Sequence, residues 1–599
     1  MKLSKIYSNV TKFREIEFAD GLNVIIGKII DNSNLKSNSH NLGKSTLIEL
    51  IDFMLLKELK KGSFLKDNYK KFIKHVFYLE LKKSDGRYLT IKRDIENNTK
   101  VSIKLHNEGK QDYRNERVWD YNDLPLTSQD KSRNPKEILD HLIGFNQIFN
   151  YSYRTYLNYF LRTQYDYDKV FKLSKFKGSD SNWKSPLAYL LGFNGDLIKS
   201  KYDLEAKIVA EEKLLEEMEK ELKITLSDLN RIEALIDVKQ RKKDEVQSKI
   251  DNFDFYLKER ELNRDLIENT EKEISVYNTQ EYKIKYEIDK AVESITKQVK
   301  FDLTSIELLF KEINLYFPDN LKKSYQELIK FNMDITEERN KYLTETLQKN
   351  QDELINVRNK LQVFNNNRNE TLSVLQEKDS FVKFKKYQME IVEIESEISS
   401  LLSKIDNIEV LRAKEKSINQ LIKQVENLVT TIILHLKEAN DLFKKIQTYF
   451  SDLVKIVLDE TAILFYSLNS NNNIEFEAKI TSIKEEILTS KSEGYSYRKM
   501  LCVCFDLSII LAYKDVNEFF KFVYHDGSLE SLSNTKKITY IETVRKICKD
   551  NNIQYIFTTL EDDIPLMPDG TNFKLTNDEI VIVLDDRDND EGRLFGISF

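Results

Sequence analysis

One short run near the N-terminus has the residue types and spacing that bind phosphate. Residues 41–46 read N-L-G-K-S-T, after the strand-like stretch 23–26 and before the apolar, helix-like stretch 47–56. In a loop between a strand and a helix, the backbone N–H groups of the helix N-terminus bind phosphate oxygens. Lys44 would reach the β- and γ-phosphates, and the Ser45 hydroxyl would bind Mg²⁺. The pattern predicts a nucleoside-triphosphate site of the Walker A type.

The glycine spacing of this loop is irregular. A regular motif has a glycine five residues before Gly43, where Asn38 stands. The glycine that ends the preceding strand is Gly27, sixteen residues before Gly43, so about eleven residues are inserted. How this insertion closes the β-phosphate side stays open. The residues expected to bind ATP are Gly27, Asn41, Gly43, Lys44, Ser45 and Thr46.

A carboxylate far along the chain is the candidate partner of this loop. The stretch 519–526 reads F-F-K-F-V-Y-H-D, a mostly apolar run that ends in an acid. Such a run is typical of a buried parallel strand. Asp526 is therefore the candidate Walker B aspartate, which would hold Mg²⁺ through water. The apolar run 553–559 predicts another strand of the same sheet.

Helix breakers are almost absent between these two regions. No glycine lies between Gly195 and Gly494, and Pro318 is the one proline between them. A run of short elements and turns needs such residues. Apolar residues there alternate three and four apart, which makes a narrow seam that another helix must cover. The seam residues include Ile208, Leu215, Leu222, Leu229 and Ile236, and later Ile391, Ile394, Ile398, Leu401, Ile405 and Ile408.

The position of Pro318 near the middle of the seam-bearing span predicts an antiparallel hairpin. A parallel dimeric rod and a compact helical bundle are the alternatives. The expected domains are an N-terminal lobe 1–199, an outgoing arm 200–299, a helical tip 300–345, a returning arm 346–445 and a C-terminal lobe 446–599.

Composition narrows the class of protein. Glycine is 15 and proline 6 of 599 residues, below the usual ~7% and ~5%, which excludes loop-rich all-β, collagen-like and proline-rich disordered chains. The net charge of −6 is too nearly balanced to indicate a nucleic-acid or membrane partner. Three cysteines cannot form a disulfide framework or a spaced zinc site. Without a signal-peptide pattern or an apolar run long enough to cross a bilayer, we expect a soluble, cytoplasmic protein with no membrane partner.

The order of the motifs resembles the SMC, RecN and RecF branch of the ABC ATPases along the whole chain. More narrowly, S-H-N-L-G-K-S-T-L (39–47), H-D-G-S-L (525–529) and G-R-L-F-G-I-S-F (592–599) look like the YydD-like bacterial ATPase family that carries the C-terminal domain of unknown function 2326. The resemblance implies an α/β ABC-type (P-loop) ATPase head split by a long antiparallel α-helical coiled-coil hairpin. It also implies that two heads dimerise on ATP.

The same resemblance assigns further residues to the site. Gln164, in Y-F-L-R-T-Q-Y-D-Y-D, matches the glutamine that senses Mg²⁺ and the attacking water. Ser492 and Gly494 belong to S-E-G-Y-S, a diverged signature that would contact the γ-phosphate bound by a second head. The metal ligands that it implies are Ser45, Gln164 and Asp526.

Two departures from the family pattern concern hydrolysis. Gly527 stands where a glutamate normally follows the Walker B aspartate, and the strand 553–559 is followed by no histidine. Either Glu530, His525 or Glu561 substitutes, or hydrolysis is slow and the nucleotide acts mainly as a clamp. The expected catalytic residues are Asp526, Gln164 and Glu530.

A basic strip is the candidate contact to nucleic acid. Residues 57–74 hold seven lysines against Glu58 and Asp67, a local charge of +5, with Phe64, Tyr69 and Phe72 interleaved. Such a strip could follow a phosphate backbone without reading bases. An ordinary solvated face of a lysine-rich chain is the alternative.

Three functions are compatible with these patterns. The first is an SMC-like homodimeric ATPase whose heads clamp or sense double-stranded DNA, with slow hydrolysis. For some relatives the resemblance implies a role in anti-phage or anti-plasmid defence beside an effector or nuclease subunit. The second is a nucleotide-binding regulatory scaffold for an effector, with negligible turnover. The third is a structural tether in which G-K-S-T is accidental, and the ordered set of motifs disfavours it.

Overall fold

Residues from distant parts of the chain form one parallel sheet in this protein, whose structure is a computed structural model. The strands are β1 (Lys2–Ser8), β2 (Ile16–Glu17), β3 (Leu22–Lys28), β4 (Val76–Lys82), β5 (Tyr88–Asp94), β6 (Lys100–His106), β7 (Tyr121–Pro125), β8 (Leu161–Arg162), β9 (Thr461–Leu468), β10 (Ile474–Ser482), β11 (Ile487–Leu488), β12 (Phe522–His525), β13 (Gln554–Leu560) and β14 (Ile580–Asp585). The residues that the structure describes are 1–29, 42–148, 150–176, 178–252, 264–296, 318–372, 378–482, 487–488, 490–587 and 590–597. Asn41 and residues 300–317 of the expected tip lie outside them.

The described strands form three sheets. A six-stranded antiparallel sheet has the order β2-β1-β4-β5-β6-β7, and a three-stranded antiparallel sheet has the order β11-β10-β9. A five-stranded sheet has the order β14-β3-β13-β12-β8, and all its pairings are parallel. Because carboxyl ends of parallel strands meet at one edge, the residues after β3, β8, β12, β13 and β14 lie close together. The predicted strand over 553–559 is confirmed as part of the sheet that contains β12.

Hydrogen bonds join the two ends of the chain within one head unit, composed mainly of Met1–Tyr202 and Leu428–Phe599. The N-terminal ammonium of Met1 donates to the carbonyl of Phe519 (3.1 Å). The side chain of Gln554 pairs with Leu3 as a backbone would: its Oε1 accepts from the Leu3 N–H and its Nε2 donates to the Leu3 carbonyl, both at 2.9 Å. One apolar core, with fully buried residues from both segments, holds the unit together.

Helices surround the sheets of the head unit. They are Lys44–Met54, Phe64–Asp67, Tyr69–Phe72, Pro135–Ile143, Tyr153–Phe160, Ser181–Leu190, the first part of Gly195–Leu222, the last part of Lys378–Lys437, Asp441–Leu458, Tyr495–Ala512 and Asn534–Asn551. The head unit resumes at Leu428, earlier than the expected 446, because Ile432 and Leu436 are buried in its core.

The arm unit, drawn from 203–310 and 320–427, is helical wherever it is described, apart from the turns between its helices. Its helices are Leu229–Asp251, Arg264–Thr296 and Pro318–Leu372, with the rest of Gly195–Leu222 and most of Lys378–Lys437. The predicted seam is confirmed where Ile232, Ile408 and Leu411 are buried together. The ion pairs Glu211–Lys414 and Lys243–Glu395 show that these two segments run antiparallel. Among the described helices none is long and apolar enough to span a bilayer.

Candidate nucleotide-binding site

The side chain of Lys44 folds back over the end of β3. Its Nζ lies 2.7 Å from the position that a Cβ on Gly27 would occupy, so only glycine leaves room for it there. Burial lowers the pKa of Lys44, and the negative charges of Asp526 and Glu530 oppose that shift. The structure therefore places a desolvated cation at the carboxyl edge of the parallel sheet.

The helix that begins at Lys44 has an N-terminus without a side-chain cap. Gly43 is its N-cap residue, with a φ of 99°, a left-handed conformation that glycine adopts without strain. Gly43 has no side chain that could accept from the first N–H groups, which suits an anion at this helix end. The Thr46 hydroxyl donates to the Gly43 carbonyl (2.8 Å), so Thr46 stabilises the turn, whereas Ser45 is exposed.

Asp526 follows β12 directly and reaches the same edge. Burial raises the pKa of Asp526, and interactions with Thr558 and Ser45 counter the effect. Thr558 accepts from the N–H of Gly527 (2.9 Å) and donates to Oδ1 of Asp526, which fixes the carboxylate. Sequence reasoning missed Thr558. Its signal was a hydroxyl residue in the last part of β13, at the edge where the other strands carry site residues.

The donor set fits Mg²⁺. Oδ2 of Asp526 is buried and has no hydrogen-bond partner among the described residues. Such an orphaned buried oxygen needs an explanation, and an ion is one. Carboxylate, hydroxyl and amide oxygens from Asp526, Ser45 and Gln164 are the hard ligands that Mg²⁺ prefers, and a site with so few carboxylates fits Mg²⁺ bound together with phosphates.

Gln164 and Glu530 meet above Gly527. Gln164 lies just after β8, and its Nε2 donates to Oε1 of Glu530 (3.2 Å). A Cβ on Gly527 would lie 2.8 Å from that carboxylate oxygen and 3.0 Å from Nε2 of Gln164. Gly527 has a φ of 66°, so glycine turns the chain and brings the carboxylate of Glu530 back over the turn. The structure thus brings a glutamate beside Asp526 although none follows it in sequence.

Lys499 supports this turn from the helix Tyr495–Ala512. Its Nζ donates to the carbonyl of Gly527 (2.9 Å) and lies 3.4 Å from Oε2 of Glu530. The side chain is almost fully buried, and burial lowers the pKa of Lys499. The sequence analysis did not single out this residue.

The two other candidates for the missing glutamate lie elsewhere. Glu561 follows β13 and pairs with Lys28 (2.8 Å), and both side chains are over two-fifths exposed. His525 is fully buried beneath the edge, with Nε2 2.9 Å from Oδ2 of Asp506 and Nδ1 2.5 Å from the hydroxyl of Tyr555. Burial lowers the pKa of His525, and the carboxylate of Asp506 opposes that shift. Neither Glu561 nor His525 has the position of Glu530, whose carboxylate lies over Gly527 in contact with Gln164.

Asp506 also binds the residue that ends β8. Its two oxygens accept from Nε and Nη2 of Arg162, at 2.6 and 2.7 Å, and both side chains are fully buried. Burial alone would lower the pKa of Arg162, but the carboxylate of Asp506 outweighs it and raises that pKa. One carboxylate therefore connects the strand before Gln164 with the strand before Asp526.

The expected signature residues start the helix Tyr495–Ala512. Gly494 is its N-cap residue, and no side chain caps the helix. Ser492 is buried, and its hydroxyl accepts from the N–H of Ile480 (3.2 Å), so it is engaged with β10. Tyr495 is half exposed beside them.

The charged side chains of the basic strip are more exposed than its aromatic ones. Lys61, Lys66, Lys70 and Lys74 are exposed, whereas Phe72 is fully buried and Phe64 is half-buried. Phe72 packs against Phe595, with ring centroids 4.9 Å apart. These two phenylalanines belong to the core because they alternate with the lysines around short helices, so they are not free to stack on bases.

Comparison with known proteins gives two matches in sequence and several in structure. Residues 453–599 match a family described as "Uncharacterised protein conserved in bacteria (DUF2326)". The chain is 23% identical over 626 residues to "Uncharacterized protein YydD" of Bacillus subtilis (strain 168), which covers 98% of this chain and 97% of that protein.

The structural matches are SMC head domains. One, from Pyrococcus yayanosii, has a coiled coil and joint; it covers 96% of this chain and 98% of its own, with 14% identity and a TM-score of 0.34. Another, from Pyrococcus furiosus, has an extended coiled coil and is bound to the C-terminal domain of ScpA; it covers 94% and 90%, with 12% identity and a TM-score of 0.35. These scores are too low to carry a functional argument. The predicted resemblance is confirmed by sequence: residues 453–599 match the DUF2326 family, and the chain is similar to YydD along almost its whole length.

Proposed function

We propose that this protein is an SMC-like ATPase that binds Mg-ATP at the carboxyl edge of the five-stranded sheet. The observation that carries the proposal is the meeting of Lys44 and Asp526, from opposite parts of the chain, beside an uncapped helix N-terminus. Lys44 and the N–H groups after Gly43 bind the phosphates, and Ser45, Gln164 and Asp526 hold Mg²⁺. The ion neutralises phosphate charge and fixes the phosphate oxygens in one geometry.

Two heads dimerise on ATP in this proposal. Each head presents the Lys44 edge and, separately, the uncapped helix N-terminus at Gly494, which suits the γ-phosphate held by a second copy. Tyr165, next to Gln164, is 82% exposed, and Tyr495, next to Gly494, is 50% exposed. Exposed tyrosines beside both half-sites are residues that protein interfaces favour. The partner is therefore a second copy of this chain.

Hydrolysis is slow and uses Glu530 as the general base. Its carboxylate lies over Gly527, in contact with Gln164, so it is positioned to accept a proton from a water near the Mg²⁺ ligands. Oε2 also lies 3.4 Å from Nζ of Lys499, so neighbouring side chains hold both oxygens of the carboxylate. This arrangement supports turnover that resets the dimer rather than rapid catalysis.

Double-stranded DNA is the proposed sensed object. The exposed lysines of 57–74 suit the phosphate backbone, and Phe72, which is fully buried, takes no part in base stacking. A role in anti-phage or anti-plasmid defence, beside an effector or nuclease subunit, rests on the family resemblance.

ATP binding and turnover of the full chain, with and without duplex DNA, test the proposal. Lys44→Ala removes the phosphate-binding cation and should weaken ATP binding at least tenfold and abolish turnover. Lys220→Ala, an exposed lysine of the arm, is the matched control and should change neither. DNA should raise the wild-type rate in a salt-dependent manner. Equal nucleotide binding by wild type and Lys44→Ala would contradict the assignment.

The second candidate is a nucleotide-binding scaffold with negligible turnover. The observation that favours it is that both carboxylate oxygens of Glu530 are already engaged, Oε1 by Gln164 and Oε2 by Lys499. ATP binding with head dimerisation, but without measurable phosphate release even with DNA, would select this function.

A further inference from the structure

The C-terminal tail, residues 592–597, lies against the phosphate loop. Gly592 returns the chain to β14, where its carbonyl accepts from the N–H of Asp585 (3.0 Å). A Cβ on Gly592 would lie 1.8 Å from Oδ1 of Asp585, so no other residue fits this return. Arg14 also donates to the carbonyl of Gly592 (3.0 Å). The start of the tail is thus fixed on both sides.

Leu594 bridges two segments of the N-terminal lobe. Its N–H donates to the carbonyl of Leu42 (3.0 Å), and its carbonyl accepts from the N–H of Arg14 (2.9 Å). A Cβ on Gly43 would lie 2.7 Å from Cβ of Leu594, so the leucine is in direct contact with the backbone of the phosphate loop. Leu42 and Leu594 are both buried. The residue immediately before the phosphate-binding helix is therefore held by the far end of the chain.

Phe595 anchors this contact in the core. It is 1% exposed, and its ring lies 4.9 Å from Phe72 and 5.6 Å from Phe13, measured between centroids. Gly596 then turns with a φ of 61°, and a Cβ there would lie 2.7 Å from the carbonyl oxygen of Lys12. The tail is built into the lobe by packing as well as by hydrogen bonds.

The phosphate loop needs such support because its sequence is irregular. A regular loop is closed by a glycine five residues before Gly43, and this chain has Asn38 there. Gly43 must hold a φ of 99° for the helix N–H groups to face one point, and glycine alone does not restrict itself to that conformation. A neighbouring residue that is itself held in place must therefore restrict the conformation of Gly43.

We propose that the tail 592–597 is part of the nucleotide site and that Leu594 is a positioning residue, which holds Leu42 and Gly43 in the phosphate-binding conformation. This inference rests on the proposed function only for the identity of the ligand. Shortening Leu594 to alanine keeps its Cβ and its backbone hydrogen bonds but removes the rest of the side chain, including Cδ2, which lies 3.5 Å from the position of a Cβ on Gly43. Gly43 then gains other conformations, and the competent fraction of the loop falls. The apparent dissociation constant rises by the inverse of that fraction.

The test compares three substitutions in the full chain. Leu594→Ala should weaken ATP binding at least tenfold, measured by calorimetric titration, and should speed amide hydrogen exchange of the 42–48 segment at least tenfold without nucleotide. Leu594→Met keeps the volume and should stay within threefold of wild type in both measurements. Leu453→Ala removes an equally buried leucine from the helix Asp441–Leu458. It should lower the melting temperature by a similar amount but leave ATP affinity and the exchange of 42–48 unchanged.

The two proposals fail separately. Failure of wild type to bind ATP would overturn the proposed function, and hydrogen exchange would still decide whether the tail fixes the loop. If Leu594→Ala leaves the exchange of 42–48 unchanged, or if Leu453→Ala accelerates it equally, the positioning role of Leu594 is wrong. If wild type binds ATP and Leu594→Ala binds it within threefold, that role is wrong as well.

Discussion

Two neighbouring residues, His525 and Asp526, lie in opposite environments. His525 is part of a buried polar cluster in which Asp506 accepts from Arg162 and the histidine contacts Tyr555. Asp526 is equally buried, yet one of its carboxylate oxygens has no partner among the described residues. In the first environment the polar groups are paired in a hydrogen-bond network, whereas in the second a carboxylate oxygen can still accept a hydrogen bond or bind an ion.

This difference separates a positioning cluster from a ligand site. A buried network whose members are all paired makes a structure rigid, because any rearrangement leaves polar groups unsatisfied. A buried carboxylate with an unpaired oxygen destabilises the fold until something binds it. The cluster around Asp506 therefore supports the strands that carry Gln164 and Asp526, and the carboxylate at their ends keeps an oxygen that can bind the proposed ion.

Breaking the completed cluster should have the largest effect. Asp506→Asn keeps the shape but removes the charge that Arg162 faces, leaving a buried guanidinium without a counter-ion. Removing one partner of a buried ion pair costs about 3 kcal/mol or more. We expect a lowered melting temperature of the head unit, measured by calorimetry, and a parallel loss of ATP binding.

Substitution of Asp526, the residue after His525, should have the opposite effect on the melting temperature. Asp526→Asn preserves an acceptor for Thr558 and removes the charge of a buried carboxylate whose Oδ2 has no hydrogen-bond partner among the described residues. Without nucleotide and Mg²⁺, it should leave the melting temperature unchanged or raise it, while it abolishes Mg²⁺-dependent turnover. If Asp526→Asn destabilises the head as much as Asp506→Asn does, the distinction between the two environments is wrong.

Glu530→Gln addresses the chemistry at the open end of the site. The amide keeps the contact with Gln164 and the shape over Gly527 but cannot accept a proton from water. General-base removal lowers turnover by about 10²-fold, roughly 2.7 kcal/mol. Phosphate release should fall accordingly, with ATP affinity within threefold of wild type. Unchanged phosphate release in Glu530→Gln would mean that another group is the general base.

The strands and the long helices were accessible from sequence because their patterns are local. The runs 23–26, 519–526 and 553–559 predicted β3, β12 and β13, and the three-four alternation of apolar residues such as Ile408 predicted a helix seam covered by another helix. The strands β7 to β11 and β14 were not predicted. In β9 and β10, half-buried polar and apolar residues obscure the alternation that marks a strand.

Sequence motifs predicted only part of the candidate site. Lys44, Ser45 and Asp526 follow local rules of strand, loop and helix. Thr558 and Leu594 do not, because their roles depend on which strands are neighbours and on where the tail returns. The choice among Glu530, His525 and Glu561 likewise needed the positive φ of Gly527, which no spacing rule reveals.

Glu561→Gln should have the smallest effect and thereby sharpen the assignment of Glu530. Glu561 lies at the same edge of the sheet, but it pairs with Lys28 in a bridge whose two side chains are 42% and 44% exposed. Exposed ion pairs contribute little to stability, since water and salt screen them. We expect an unchanged melting temperature and unchanged phosphate release, measured beside Glu530→Gln under identical conditions. A carboxylate at the edge is thus insufficient for the base role; the carboxylate must also lie over Gly527 in contact with Gln164. Loss of turnover in Glu561→Gln, with normal turnover in Glu530→Gln, would reverse that assignment.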